Sequence, residues 1–435
     1  MQSNDVVSVE VDIARSSRVI QLEGMFDIPP AQKSRREWRM TLPLDEREWK
    51  IGLIVGASGS GKSTIARAIF GVGAQPEPHW PDRAALVDGF DSSISLKTIV
   101  ALLSSVGLSS PPCWLKPFAV LSTGEQFRAS VARKLSLGLP TLVIDEFTST
   151  VDRTVATVAS SAIAKAIRSR VDSSRFVAVT CHYDVLDWLQ PDWVYDASLN
   201  TFVWRDLQCR PPITLAVRRV GVETWPAFAR HRYLSADINR SSKCFLFTID
   251  ERPCAFVAVL PVIGFRRRWR EHRAVCLPDF QGVGIGMAAS STVAAIVIAA
   301  TEARYFSSTT HPAFIQARTK KPALWRLTAQ PSFRSHHSGS RGSGRRISGH
   351  SVTRNNMRLM ATHEYVGEPF ESTALARLLW TEPLPPRDKP GDGDASIYTR
   401  ILAALHEAPE EPAQESVKRA LNLADGSNSQ KPKSK

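Results

Sequence analysis

Residues 56–63 read Gly-Ala-Ser-Gly-Ser-Gly-Lys-Ser, the G-x-x-x-x-G-K-[ST] spacing of a loop that cradles phosphate. Its glycines let backbone N–H groups turn inward on phosphate oxygens. Lys62 is placed to reach β- and γ-phosphates, and the Ser63 hydroxyl to hold Mg²⁺. Gly56, Ser58, Gly59, Ser60, Gly61 and Thr64 complete the expected cradle. A second chemical stretch, Thr141–Glu146, is an apolar run ending in two carboxylates. Asp145 is placed to bind Mg²⁺ through water, and Glu146 to polarise an attacking water. His182 stands just past a further apolar run, Phe176–Thr180.

The elements that must position these groups follow from pattern. Ile51–Val55 reads as a buried strand entering the loop, and Thr64–Phe70 as the helix leaving it. Val19–Phe26 and Trp38–Leu44 read as two strands of an antiparallel subdomain, and Ala84–Val87 as a short strand ending at Asp88. Ser93–Val106 reads as a helix with Leu96, Ile99, Val100 and Leu103 on one face. Leu121-Ser122-Thr123-Gly124-Glu125-Gln126 opens a helix over Phe127–Leu137, and Ser149-Thr150-Val151-Asp152 follows the two carboxylates.

These motifs, in this order, make residues 15–200 resemble an ABC-type ATPase. Gly56–Ser63 matches Walker A, Leu121–Gln126 the signature, Leu142–Glu146 Walker B, Ser149–Asp152 the D-loop and His182 the switch histidine. The resemblance implies an ATP-dependent homodimer in which Ser122, Gly124 and Glu125 of one chain, with its Asp152, close over ATP held by the other. It assigns catalytic roles to Glu146 and His182. The sequence departs from the family at Thr123, where glycine is usual, and in lacking a glutamine between Gln75 and the signature, where Asp88 stands. That region couples transporter ATPases to membrane partners, so its reduction argues against transport. The Leu-Ser-x-Gly-Glu form looks more like cytosolic ABC ATPases of chromosome maintenance and repair.

After Pro211-Pro212, strand-like runs at Ile213–Val220, Cys244–Ile249, Pro253–Val262 and Trp269–Leu277 surround a helical stretch at Thr224–Arg240. Gln281-Gly282-Val283-Gly284-Ile285-Gly286 then opens an alanine-rich helix, Met287–Arg304. Amides at such a helix start can hold an anion. The order resembles the GNAT acyltransferase fold, whose [RQ]-x-x-G-x-[GA] loop binds the acetyl-CoA pyrophosphate. A Rossmann turn is the rival, but the antiparallel hairpin upstream opposes a parallel βαβ unit. The resemblance offers Glu271 as general base and Tyr365, in Thr362–Val366, as general acid.

The fold expected is therefore α/β: a P-loop NTPase domain of ABC type over residues 1–207, then a GNAT-like α+β domain over 211–370 with a basic loop at 334–358. Residues 371–435 form a C-terminal tail. Of 435 residues, 43% are hydrophobic, enough for two cores. The charge is uneven: residues 201–350 hold 23 Lys and Arg against 8 Asp and Glu, net +15, which accounts for the whole excess of +13. Such a block, with Arg266–Arg268, Arg270 and Arg273 around Trp269, suits a polyanion, so residues 201–360 are expected to bind nucleic acid. Six cysteines without a C-x-x-C pair fit a reducing cytoplasm and no zinc site. The apolar stretch Met287–Ala300 is too short to span a bilayer, and the first residues are polar and acidic, so no membrane insertion is expected. The expected function is an ATP-hydrolysing ABC-type ATPase fused to an acyl-CoA-dependent N-acyltransferase that modifies DNA or RNA. The alternatives are a transporter's ATP-binding subunit, or an ATP-gated nucleic-acid switch whose second module has lost catalysis.

Overall fold

Ile51–Val55 is buried along its whole length, which is why this short apolar run forms the middle of a sheet. A computed structural model of the chain describes residues 4–231, 237–335 and 357–381. Arg341, Arg345 and Arg346 of the expected basic loop lie outside the described residues, as does the expected tail beyond Thr381. Packing divides the chain into two compact units. Among the described residues, one holds the chain up to Pro81 together with Ser122–Pro211; the other holds Asp82–Leu121 and the residues after Pro211.

In chain order the elements are β1 (Asn4–Asp12), α1 (Ser17–Phe26), β2 (Lys33–Thr41), β3 (Ile51–Val55) and α2 (Lys62–Phe70). Then come α3 (Leu96–Ser105), α4 (Pro111–Trp114), α5 (Thr123–Leu135), β4 (Thr141–Ile144), α6 (Arg153–Arg168) and β5 (Arg175–Thr180). The short α7 (Leu186–Leu189), β6 (Trp193–Asp196) and β7 (Thr201–Trp204) complete the first half. The second half runs β8 (Ala216–Val220), α8 (Pro226–Ala229), β9 (Lys243–Ile249), β10 (Arg252–Pro261), β11 (Arg268–Cys276) and α9 (Ile285–Thr301). It ends β12 (Arg304–Thr309), α10 (Pro312–Thr319), β13 (Trp325–Ser335), β14 (Met357–Tyr365) and α11 (Thr373–Thr381).

The first unit is built on a five-stranded sheet of order β4-β5-β3-β6-β7, parallel except for β7. Ile54, Val143, Val177, Val179 and Trp193 form its core with Trp49 and Ile65. A separate two-stranded sheet pairs β1 with β2. The strand expected at Val19–Phe26 is instead helix α1. The Ser16 hydroxyl accepts from the Val19 amide at 3.4 Å, and left-handed Asp27 closes the other end, so both caps favour a helix. The strand expected at Ala84–Val87 is a tight 3₁₀ turn, Leu86–Gly89, held by Asp88 N–H to the Ala85 carbonyl.

The second unit contains a seven-stranded sheet of order β13-β14-β12-β11-β10-β9-β8. All neighbours are antiparallel except β11 and β12. Those two pair only at Arg268–Arg270 with Arg304–Phe306. Helix α9 connects them and is apolar on nearly every side, as a helix covered by other elements must be. The helix expected at Thr224–Arg240 is confined to the four-residue α8 within the described residues. Among the described residues no helix is long and apolar enough to cross a membrane.

Candidate functional site

The parallel register brings the C-terminal ends of β3, β4 and β5 to one sheet edge, since Val55 faces Thr180 and Ile144 faces Ala178. Gly56, Asp145 and His182 therefore leave the sheet on the same side. Gly61 caps α2 at φ 94°, and a Cβ there would lie 2.3 Å from the Trp38 indole, so only glycine fits. Trp38 Nε1 donates to the Ser60 carbonyl at 2.8 Å, and Arg36 donates to the Gly59 carbonyl at 3.0 Å. Lys62 is buried and folds back on the loop, its Nζ donating to the Ala57 carbonyl at 2.8 Å. The Ala57 amide donates to Ser198 Oγ at 2.7 Å. Ser60 Oγ is buried with no hydrogen-bond partner, an unspent polar group inside the cradle. An orphan hydroxyl, inward-turned glycines and a lysine fit a nucleotide phosphate, and Ser63 with Asp145 offers the hard oxygen donors that Mg²⁺ takes.

Glu146 is exposed and held in the left-handed region at φ 50°, as is Thr148 at φ 65°. Backbone strain at non-glycine residues persists where surrounding contacts enforce it. Here Ser149 Oγ donates to Glu146 Oε2 at 2.7 Å, and the Glu146 amide donates to Asp145 Oδ1 at 2.9 Å. Burial lowers the His182 pKa; Arg153 acts the same way, while Asp184 and Glu146 oppose it. A neutral imidazole thus shares the electrostatic neighbourhood of Glu146. Arg153 is fixed by its ion pair with Asp184. Asp152 caps α6, its Oδ1 accepting from the Val155 amide at 3.0 Å. Ser122 caps α5 in a reciprocal box with Glu125, which fixes the start of that helix. Gly124 is buried in its first turn.

In the second unit, Gly282 and Gly284 adopt φ 95° and 99°, and Gly284 caps α9 with nothing within 4 Å of a would-be Cβ. The loop thus leaves open space beside the start of a 17-residue helix. Gln281 Nε2 donates to the Cys276 carbonyl at 2.9 Å, and its Oε1 accepts from the Ser109 amide at 2.9 Å. Val283 is half-buried, Ile285 is buried, and Gly286 packs against Phe314 and Cys276.

Glu271, expected as a base, has a side chain only 9% exposed. It accepts from Ser290 Oγ at 2.5 Å and Ser307 Oγ at 2.8 Å, and faces Arg318, fully buried, at 3.4 Å. Tyr365 donates its hydroxyl to the Glu368 carbonyl at 3.2 Å, and burial raises its pKa, with Glu368 adding to the effect. The cluster around Glu271 has no sequence signal, because its partners lie 19, 36 and 47 residues away. Trp38, Arg36 and Ser198 were equally silent; the one available clue is that Trp38 and Arg36 share a face of β2.

No family model matches the chain, and no curated protein does. Among solved structures the chain is similar to a dimeric bacterial ABC transporter cassette, MJ0796, at 14% identity over 39% of this chain and 90% of that one, with a TM-score of 0.31. It is similar to that cassette's post-hydrolysis state bound to ADP and Pi, at 15% identity, 39% and 90% coverage and a TM-score of 0.31. It is also similar to cbiO1 from Clostridium perfringens, part of an ABC transporter complex, at 16% identity, 39% and 78% coverage and a TM-score of 0.30.

Proposed function

We propose that the first half is an ABC-type ATPase that closes as an ATP-dependent homodimer, and that residues 211–370 form an acyl-CoA-dependent N-acyltransferase module acting on or near nucleic acid. The observation that carries the first part is the shared sheet edge, where the glycine loop, the Asp145–Glu146 pair and His182 emerge together. Bound ATP with Mg²⁺ supplies the transferable phosphoryl group and its charge neutralisation. The Lys62 ammonium would leave the Ala57 carbonyl to meet the β- and γ-phosphates. Ser63, and Asp145 through water, would hold the Mg²⁺, and Glu146 would orient the attacking water. The neutral His182 contributes a hydrogen bond rather than a charge. Ser122 and Gly124 of a second chain complete the site at the N-terminus of α5.

Two observations support the acyltransferase reading. The strand order has one parallel pair, β11 and β12, whose register stops after three residues. The glycine loop sits just beyond the end of β11 and opens α9. The loop amides at the start of α9 suit a pyrophosphate. The net +15 of residues 201–350 favours a polyanionic acceptor. The inward-held Glu271 favours a second reading, an ATP-gated switch whose second module binds acyl-CoA or nucleic acid without catalysis. Glu271→Gln and Tyr365→Phe separate the two by their effect on transfer.

The central test is Glu146→Gln in the full chain. ATP binding should persist, hydrolysis should fall by about 10²-fold or more, and the dimer should accumulate by light scattering. A fully active variant removes Glu146 from the reaction.

A further inference from the structure

One face of the seven-stranded sheet is open where β11 meets β12. Along β12, Tyr305 and Ser307 are buried, whereas Arg304 and Ser308 are exposed and Phe306 is half-buried. The period of two puts Arg304, Phe306 and Ser308 on that open face. Arg268 stands beside Arg304 in register, and exposed Arg270 beside Phe306. Arg304 and Arg326, from β12 and β13, both reach the Glu364 carboxylate, at 2.5 and 2.6 Å. Like charges in register on neighbouring strands work against a sheet. Among the described residues Arg268 and Arg270 have no acidic partner to offset this. The turn from β10 into β11 extends the face. Its Val262 amide donates to the Arg268 carbonyl at 2.9 Å, and the tip so closed is apolar: Ile263 is 96% exposed and Phe265 55%. Exposed Arg266 and Arg267 follow. The Arg268 guanidinium lies 4.6 Å from the Phe265 ring centre and 5.6 Å from that of Phe306, with Arg304 5.2 Å from Phe306. Rings and guanidinium groups therefore alternate from the tip onto the sheet.

We propose that this face and the tip beside it bind single-stranded nucleic acid, the arginines taking phosphates and Phe265 taking a base. The inference rests on the nucleic-acid reading above and gives it a place. Charge complementarity names the occupant: arginines spread over the tip and three strands suit an extended polyanion. Rings alternating with guanidinium groups suit exposed bases, whatever their sequence. A duplex keeps its bases stacked inside and offers Phe265 no free base. An anionic membrane would engage the apolar tip but makes no use of a strip that continues over β12 and β13. Strand β11 has nine residues, so at about 3.3 Å per residue its ends lie roughly 26 Å apart. The strip is at its first end, and the glycine loop follows its last. The nucleic acid is thus anchored at a distance from the loop, and no base is held against it there.

The test is fluorescence anisotropy of the full chain with a labelled oligothymidylate of about 12 nucleotides. Phe265→Ala should weaken binding about fivefold or more, and Phe265→Trp, which keeps a ring, should retain it. Arg266→Ala/Arg270→Ala should make the slope of log affinity against log salt shallower by up to about 1.4, or about 0.7 for each phosphate contact on a single strand. All three side chains are exposed, so thermal melting of the variants should match the parent chain. If Phe265→Ala and the double variant bind like the parent, the platform is overturned and the nucleic-acid reading stands with its site elsewhere. If a duplex of similar length binds as tightly as the single strand, the platform is likewise overturned. If the variants lose binding to phosphatidylserine vesicles but keep the oligonucleotide, the face belongs to a membrane and the proposal falls. If the parent binds neither single strand nor duplex, the nucleic-acid reading itself fails and takes the platform with it.

Discussion

Breaking the Glu271–Arg318 pair from one side should cost far more than removing both partners. Arg318 is fully buried and donates to Ser307 Oγ at 2.7 Å and Ser290 Oγ at 2.9 Å. Its guanidinium also lies over the Trp325 ring, 4.3 Å from the centroid. Arg318→Met would leave the Glu271 carboxylate, 9% exposed, facing two serine hydroxyls with little access to water. Unpaired buried charges of this kind cost about 3–5 kcal/mol. Glu271→Leu would strand the guanidinium at similar cost. The double variant Glu271→Leu/Arg318→Met removes both charges and should lose much less, giving a coupling on the order of 3 kcal/mol. The assay is equilibrium urea unfolding of the full chain, with the four chains compared at one pH. Additive losses, with coupling under about 0.5 kcal/mol, would show that the two charges do not depend on each other. Glu271→Gln adds a discriminating arm: unchanged stability with lost acyl transfer would return Glu271 to the role of base.

Ser122→Arg should abolish hydrolysis while leaving ATP binding nearly intact, and mixing it with Lys62→Ala chains should restore part of the activity, because one good site then forms across two different defects. No rescue at any ratio would count against a site shared between chains. If the loop takes CoA as proposed, Gly284→Glu should weaken CoA binding steeply by calorimetry, since it places a carboxylate at φ 99° where the pyrophosphate would approach the amides. Burial holds the pKa values of His311 and His363 below the ordinary value; the Ser109 carbonyl opposes this for His311, and Arg318 reinforces it for His363. The unfolded chain therefore takes up more protons as pH falls through about 6.5, so this stability is present above that pH and lost below it. Urea midpoints should be lower at pH 5.5 than at pH 7.5, and the drop should shrink in His363→Phe; an equal or higher midpoint at pH 5.5 contradicts the assignment.

Much of the first half was legible because its signals are local: the strands at Ile51–Val55 and Thr141–Ile144 and the glycine-rich turn into α2 stand where the pattern put them. Helix α1 was misread because Val19, Ile20 and Leu22 look strand-like, and the signals that decide it are caps at Ser16 and Asp27 rather than apolar pattern. Strand β1 went unseen although Val7, Val9 and Val11 alternate with Ser8, Glu10 and Asp12. In the second half the glycine loop and the strands flanking it were readable. The partners of Glu271 were not, since a lone glutamate carries no mark of the serines and arginine that will meet it. Nor does any local pattern say that residues 82–121 pack with a sheet that begins after Pro212.

That last arrangement has a consequence for synthesis. Ile99, Leu103, Val106, Leu108 and Trp114, all buried in the finished protein, leave the ribosome before the strands of their own unit exist. About 90 residues separate Leu121 from Pro212, which at 5–20 residues per second means a wait of roughly 5–20 s. Through that interval the segment's apolar face must be shielded by transient contacts or by a chaperone. The second unit therefore cannot be completed until the strands after Pro212 are made, and its early segment stays exposed to aggregation through that interval.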